Sequence, residues 1–429
     1  MRKRLLAAGA VLTVVTAACA SSPSGSGVNC EEDPFGCITI AAGEPIQVGT
    51  LLAITGDVAF LGLDSQTGVE LAIDSLDGTI DGTAGQLVGH EVRMVNEDDG
   101  CSKEGGQKGA TTLAANESLV GVIGTSCSSA ALGVADKILS DKGIVIISPS
   151  NTNPNLTAEG EHQPFYFRTA HNDKIQGAVV ADFAYNELEA RSAATINDES
   201  PYADALAAVF RDNFEKLGGT VTGSEAIQSS DTDFKPVLTT LAAGKPDFLF
   251  FPNFNPACGL IAKQAASVPG LADTALAGAD GCLEPTFLDT AGDAADGAYA
   301  SGPDFSSLKE DSFFKDEFLP QYTELRGTAP TAAFHAHAYD AAKILFAAIE
   351  EVAEVADDGT VTISRTALRD AVQETEGFDG LSGTISCSSL GDCATAVTIA
   401  IYEAPAWPVE GGTPDAQPVY TDTKTLDQV

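Results

Sequence analysis

The chain has 429 residues, 44% of them apolar and 20% charged, and its 61 acidic side chains against 23 basic ones give a formal net charge of −38. A chain of this length and apolar content folds as a globular protein of two or three domains. So acidic a composition argues against nucleic acid and anionic lipid surfaces as partners, because both need clustered Lys and Arg.

The amino end reads as a targeting segment. Met1-Arg2-Lys3-Arg4 is basic, and the apolar run Leu5–Val15 is too short to span a bilayer. Thr16-Ala17-Ala18-Cys19 resembles a bacterial lipoprotein signal, in which residues 1–18 are removed and Cys19 becomes a lipidated first residue. Thr16 stands where that signal usually has a large apolar residue, and an ordinary secretory signal cut nearby is the alternative. Ala20–Gly27 is a Ser/Gly/Pro spacer, Val28–Glu44 reads as irregular, and residues 19–45 together form a tether. No later stretch is long and apolar enough for a membrane helix.

From Ile46 the chain alternates strands and helices. Strands are expected at Ile46–Ile54, Glu91–Asn96, Val120–Gly124 and Ile144–Ser148, with helices at Gly68–Leu76, Glu104–Asn116 and Ala130–Ser140. A second cycle follows, with strands at Ser192–Asn197, Val221–Ile227, Asp247–Phe251 and Leu276–Ala277. Its helices are Lys174–Asn186, Ala203–Leu217, Phe234–Ala243 and Gly259–Ser267. Such alternation means α/β architecture: two doubly wound parallel-sheet lobes, each covered by helices. Phe313–Arg326, Phe334–Ala356 and Arg365–Glu374 read as returning helices. Thr384–Ser386 with Ala396–Glu403 reads as a hairpin, and the tail from Ala404 as irregular. Returning helices imply several crossings between the lobes, expected near Ala170, Gly302 and Phe378. Lobe 1 is then 46–170 with 303–377, and lobe 2 is 171–302 with 378–429.

Nine cysteines are present. Assigning Cys19 to lipid leaves four close pairs, Cys30/Cys37, Cys101/Cys127, Cys258/Cys282 and Cys387/Cys393, and an exported chain makes disulfides the default. Eight cysteines allow about a hundred connectivities, so spacing alone does not fix this one. No C-x-x-C occurs and the His residues are scattered, which speaks against a metal cluster.

The stretch Val120–Thr157 carries the functional signal. It is a strand-loop-helix-strand unit whose polar loops, Thr125–Ser129 and Pro149–Thr152, follow strand carboxyl ends, where open parallel sheets bind ligands. A helix start after the first loop favours an anionic group such as a carboxylate.

Ile46–Asp74, Asn96–Ala130, IISPSNTNPNLT (Ile146–Thr157), FRTAHNDKIQG (Phe167–Gly177) and NDESPYADAL (Asn197–Leu206) together resemble the type I periplasmic binding proteins of ABC importers, nearest the leucine/isoleucine/valine-binding group. The resemblance implies two lobes joined by three crossovers and closing on a ligand, and a Cys101–Cys127 bridge. By position, Ser128 resembles the serine that holds the ligand carboxylate. Ser150 and Thr152 resemble residues contacting its carboxylate and ammonium, Tyr202 the second-lobe aromatic, and Asp280 the acidic partner of the ammonium. Three departures bear on the side-chain pocket: Phe254 replaces a tyrosine, Asp280 is one methylene shorter than the usual glutamate, and Leu61 replaces an aromatic.

The implied protein is an extracytoplasmic, lipid-anchored monomer that meets the membrane through Cys19, works with ABC permease subunits and binds a small amino acid without metal or cofactor. Alternatives on the same fold are an amide, urea or short-peptide binder and a ligand sensor. An enzyme is not expected. Gly124–Ser128 is not a G-x-S-x-G elbow, and His335 and His337 are too close in sequence to share a helix face.

Overall fold

The computed structural model describes residues 30–306, 308, 311–406 and 417–429. The signal segment 1–18, Cys19 and the spacer Ala20–Gly27 lie outside the described residues. Among those described, no helix is long and apolar enough to cross a membrane.

Two sheets organise the chain. The first has six strands in the order Gln86–Leu87, His90–Asp98, Ile46–Leu52, Leu119–Gly124, Val145–Ser148 and Tyr166–Arg168. All neighbours are parallel except the short edge pair at Gln86–Leu87. Its central strand, LVGVIG, is buried along its whole length, as expected of a parallel strand covered on both faces. The second sheet has seven strands, ordered Tyr420–Thr425, Ala396–Glu403, Tyr299–Pro303, Ala275–Gly278, Phe248–Phe250, Ser192–Asn197 and Thr220–Ala226. The five on the Thr220 side are parallel and the last two antiparallel.

Helices cover both sheets, and their starts are legible in local chemistry. Ser102, Asn172 and Ser200 each accept a backbone N–H of the turn they open, at the helices Lys103–Ala114, Asp173–Asp182 and Pro201–Lys216. Pro201 occupies the first helical position, where its missing N–H costs nothing. Ala59–Asp74 packs against His335–Val352 at Gly68, where a Cβ would lie 2.2 Å from the His335 carbonyl oxygen. Only glycine permits that approach.

Several expectations are corrected. The helix expected over Ala130–Ser140 is broken: one turn at Ser128–Ala130 ends where Leu132 leaves helical geometry and Gly133 takes φ +66°. Val28–Glu44 is not wholly irregular, since Cys37–Ile40 pairs with Val361–Ser364. The hairpin of Thr384–Ser386 with Ala396–Glu403 does not form. Gly383–Ile385 pairs with Phe378–Gly380, while Ala396–Glu403 inserts between Tyr299–Pro303 and Tyr420–Thr425. The tail therefore supplies an edge strand, whose alternating threonines suit a half-exposed sheet face. Lys424 ties it to the helix Asp173–Asp182 through Asp182 at 2.8 Å and also pairs with Asp422 of its own strand at 2.8 Å.

The chain leaves the first sheet after Arg168, returns after Pro303, and rejoins the second sheet at Ala396. The third crossing thus comes later than expected near Phe378. Residues up to Cys393 stay with the first body: buried Asp340 accepts the amides of Leu381 (2.8 Å) and Ser382 (2.7 Å), and Cys393 N–H donates to the Arg168 carbonyl at 3.0 Å. Disulfides join Cys30 to Cys37, Cys101 to Cys127, Cys258 to Cys282 and Cys387 to Cys393.

Candidate functional site

The strands Leu119–Gly124 and Val145–Ser148 deliver two loops side by side, and hydrogen bonds lock these together. Asn151 Nδ2 donates to the Thr125 carbonyl at 3.0 Å, and Thr125 Oγ1 returns a bond to Asn151 Oδ1 at 3.0 Å. Ser148 Oγ donates to Thr125 O (2.8 Å), and Ser150 Oγ to Ser126 O (2.9 Å). The Cys101–Cys127 bridge braces the first loop from outside. Beside it, buried Asp99 accepts the amides of Cys101 and Ser126, each at 2.7 Å, yet burial outweighs these bonds and lifts its carboxyl to about 7.

Ser128 closes this half. Its Oγ accepts the amide of Asn153 at 3.3 Å, which leaves the hydroxyl hydrogen to donate elsewhere. Because the helix breaks after one turn, local amides and this hydroxyl, rather than a long helix dipole, are what the loop offers an anion.

The facing half is acidic and aromatic. Tyr202 sits in the first turn of Pro201–Lys216 and donates its hydroxyl to Asp280 Oδ1 at 3.0 Å. Asp280 follows the strand Ala275–Gly278 and also accepts Gln176 Nε2 at 2.9 Å. Gln176 is held in turn by Ser301 Oγ (2.9 Å) and by His171 Nε2 at its Oε1 (2.7 Å). Phe254 lies with its ring 5.2 Å from that of Tyr202. The Cys258–Cys282 bridge connects the helix after Phe254 with the turn that carries Asp280.

A second carboxylate completes the cluster. Thr152 Oγ1 donates to Asp173 Oδ2 at 3.0 Å, while Asp173 Oδ1 is buried without a hydrogen-bond partner. Burial first, and then the negative charge of Asp280, push the Asp173 carboxyl well above the usual range. Burial likewise raises the Tyr202 phenol and lowers His171. Two carboxylates so placed favour a cationic guest, because an opposite charge lowers the cost of ionising both.

Ser128, Ser150, Thr152, Tyr202 and Asp280 are all buried; the first three lie on the two joined first-lobe loops, and Tyr202 and Asp280 are hydrogen-bonded to each other on the second lobe. Leu61 is placed differently: it packs into the apolar core of the first lobe, and Val58, one turn earlier, lines the interlobe cavity instead. That cavity, of about 450 Å³, runs from Thr55–Val58, Gly100, Cys101 and Ser129 on one side to Asp198–Ser200, Ser229, Ser230 and Phe254–Ala257 on the other. Phe254 both lines it and touches Tyr202, so it joins the cavity to the buried cluster. Asp173, Gln176 and His171 were not singled out by sequence reasoning. Their signal lay in FRTAHNDKIQG, where Asn172 and Asp173 read as an ordinary helix start. Among the described residues, no group of three or more His, Cys, Asp or Glu is placed to hold a metal ion.

The profile of the periplasmic binding protein family matches residues 45–400. The chain is 27% identical over 325 residues to the Leu/Ile/Val-binding protein BraC3 of Rhizobium johnstonii, covering 76% of this chain and 83% of that one. It is 27% identical over 313 residues to the leucine-, isoleucine-, valine-, threonine- and alanine-binding protein of Pseudomonas aeruginosa, covering 73% and 80%. Its fold matches the crystal structure of a leucine binding protein, LivK, from Thermotoga maritima with a TM-score of 0.74 at 25% identity, over 90% of this chain and all of that one.

Proposed function

The chain belongs to the periplasmic binding protein family, and from that membership we propose that it is the extracytoplasmic substrate-binding component of an ABC importer, capturing a small amino acid of the branched-chain type between its lobes. Its activity is capture and release, not catalysis. The observation that carries the reading is the opposition of two kinds of group. One side offers the Ser128 hydroxyl and the amides of its turn; the other offers the buried carboxylates Asp173 and Asp280 with the Tyr202 phenol. An α-amino acid is the small solute that presents a carboxylate and an ammonium at that spacing.

In this reading Ser128 donates to the ligand carboxylate, and Ser150 and its neighbours contribute main-chain contacts. Thr152, whose hydrogen is committed to Asp173, accepts from the ammonium together with Asp280. Phe254 and Val58 shape the side-chain end. Hydrogen bonds to charged groups contribute ~1.5–3 kcal/mol each, so four of them reach the about 8 kcal/mol of a micromolar ligand with apolar burial left to offset the cost of closure. The relatives named for leucine, isoleucine and valine support the ligand class. We further propose that Cys19 is lipidated and that the protein acts as a monomer on the outer face of the membrane.

A thermal-shift screen against all amino acids, amides and polyamines tests the reading, since a ligand that binds only the folded state raises its melting temperature by mass action. Stabilisation by leucine, isoleucine or valine is expected. A response confined to amides or polyamines overturns it.

A further inference from the structure

We propose that Asn153 is an interlobe latch, a positioning residue that couples the carboxylate-holding loop to closure of the cleft; the proposal rests on the solute-binding reading above for its ligand but not for its geometry. Asn153 is 1% exposed and uses every polar atom it has. Its amide donates to Ser128 Oγ at 3.3 Å, and its carbonyl accepts Arg168 Nη1 at 2.8 Å. Its Oδ1 accepts the amide of Asn155 at 2.8 Å, shaping the turn Pro154–Thr157. These three bonds stay within the first lobe. The fourth does not: Nδ2 donates to the carbonyl of Pro201 at 2.6 Å, on the second lobe, one residue before Tyr202.

One side chain therefore links Ser128 with the start of the helix that carries Tyr202. A turn residue alone does not demand this chemistry. Asp or Ser before Pro154 would accept the Asn155 amide equally well, but an ionised Asp offers no N–H to a carbonyl. The donor is what Asn adds, and it is aimed across the cleft. Pro201 suits the other end. Its ring fixes the backbone of the first helical turn, so the accepting carbonyl is held in place when the lobes meet. The bond is buried on the Asn153 side, where an unmade donor costs more than in water. It forms when the lobes close and is absent when they part, so it weights the equilibrium toward the closed form and slows reopening.

The test compares N153A and N153D with the parent. N153D keeps the acceptor for Asn155 and so the local turn, while it replaces the cross-cleft donor by an acceptor facing a carbonyl. If N153A fails to fold, N153D alone decides. Stopped-flow binding of leucine should show dissociation about tenfold faster in N153D with association changed less than about twofold, since interface changes act mostly on release. Unchanged dissociation overturns the latch. If the parent binds none of leucine, isoleucine and valine, the branched-chain reading fails by itself and the latch is judged on the ligand-free protein. Hydrogen–deuterium exchange of peptides covering 124–130 and 198–206 should then be faster in N153D than in the parent, and equal exchange in both peptides overturns it.

Discussion

Arg168 donates Nε to Asp392 Oδ1 at 2.6 Å, joining residues 224 apart in sequence, with side chains 0% and 4% exposed. The same guanidinium donates to the carbonyls of Asn151 (3.1 Å) and Asn153 (2.8 Å) and to Thr157 Oγ1 (2.6 Å). One cation thus ties the first crossing to the segment before the third, and both to the loop that carries Thr152. Removing one partner of such a pair leaves an uncompensated buried charge, at about 3–5 kcal/mol. D392N should lower the free energy of unfolding by that order in urea titrations. R168M combined with D392L should cost less than R168M alone, because neither charge is then left unpaired. If R168M and the double variant were equally destabilised, the carbonyl contacts rather than the ion pair would be what Arg168 supplies.

The Tyr202–Asp280 bond makes a graded prediction for ligand capture. D280N should weaken leucine binding tenfold or more, about 1.4 kcal/mol or above, because it removes the charge that faces the ammonium. Y202F keeps that charge and deletes one hydrogen bond at 3.0 Å, so a smaller loss of roughly threefold to tenfold is expected. Calorimetry on both variants checks the order. Equal affinity of D280N and the parent would remove Asp280 from the site.

Which parts of this were legible in the sequence follows from where the information resides. The two-cycle alternation is a local property, and the strand Ser192–Asn197 falls where its pattern placed it. The break after Ala130 is not: Ala131, Val134, Ala135 and Ile138 keep a helical spacing, and the helix stops because Leu132 leaves helical geometry and Gly133 turns left-handed. The edge strand Tyr420–Thr425 exists because Ala396–Glu403 is there to pair with it, which no local pattern announces. Strand ends and the resemblance name Ser128, Thr152, Tyr202 and Asp280, whose contact with a ligand is the proposal made above. Asp173 and Gln176 act through partners 21 and 104 residues away, and their own surroundings in sequence look like an unremarked helix start. Leu61 shows the opposite failure, since a substitution pattern pointed to the cavity while packing drew the side chain into the core.

Stability should rise as the solution is acidified from about pH 8 to about pH 5.5. Burial lifts Asp99 to about 7 and Asp136 and Asp340 each to about 6, and it also holds Asp173 well above the usual carboxylate range. A carboxyl whose folded pKa exceeds its unfolded value of 3.8 binds its proton more tightly when folded. Its contribution is therefore greatest below the unfolded pKa and is lost as pH rises through the folded one. His337, lowered to about 3 by burial, works the other way, as do His162 and His171, which burial also lowers; these cost stability as pH falls below 6.5. The four raised carboxyls outnumber these three histidines, and protonation also relieves the net charge of −38. Scanning fluorimetry between pH 4 and 9 (about 0.5 unit apart) should place the highest melting temperature below neutrality. A maximum at pH 8 would contradict this account.

The Cys258–Cys282 bridge closes a loop of 24 residues that begins just after Phe254 and carries Asp280 close to its far end. Cross-linking a loop of that size stabilises by about 3 kcal/mol through the unfolded chain. C258A/C282A should lose stability of that order, and it should also bind leucine a few-fold more weakly, because the Phe254 loop and the Asp280 turn would no longer be joined. Cys30–Cys37 provides the contrast. Its loop spans 7 residues and lies in the amino-terminal arm, away from the cleft. C30A/C37A should lower the melting temperature with no change in leucine affinity. Equal affinity losses in the two double variants would show that the weakening reflects general loosening of the fold, and not the tie between the two second-lobe loops.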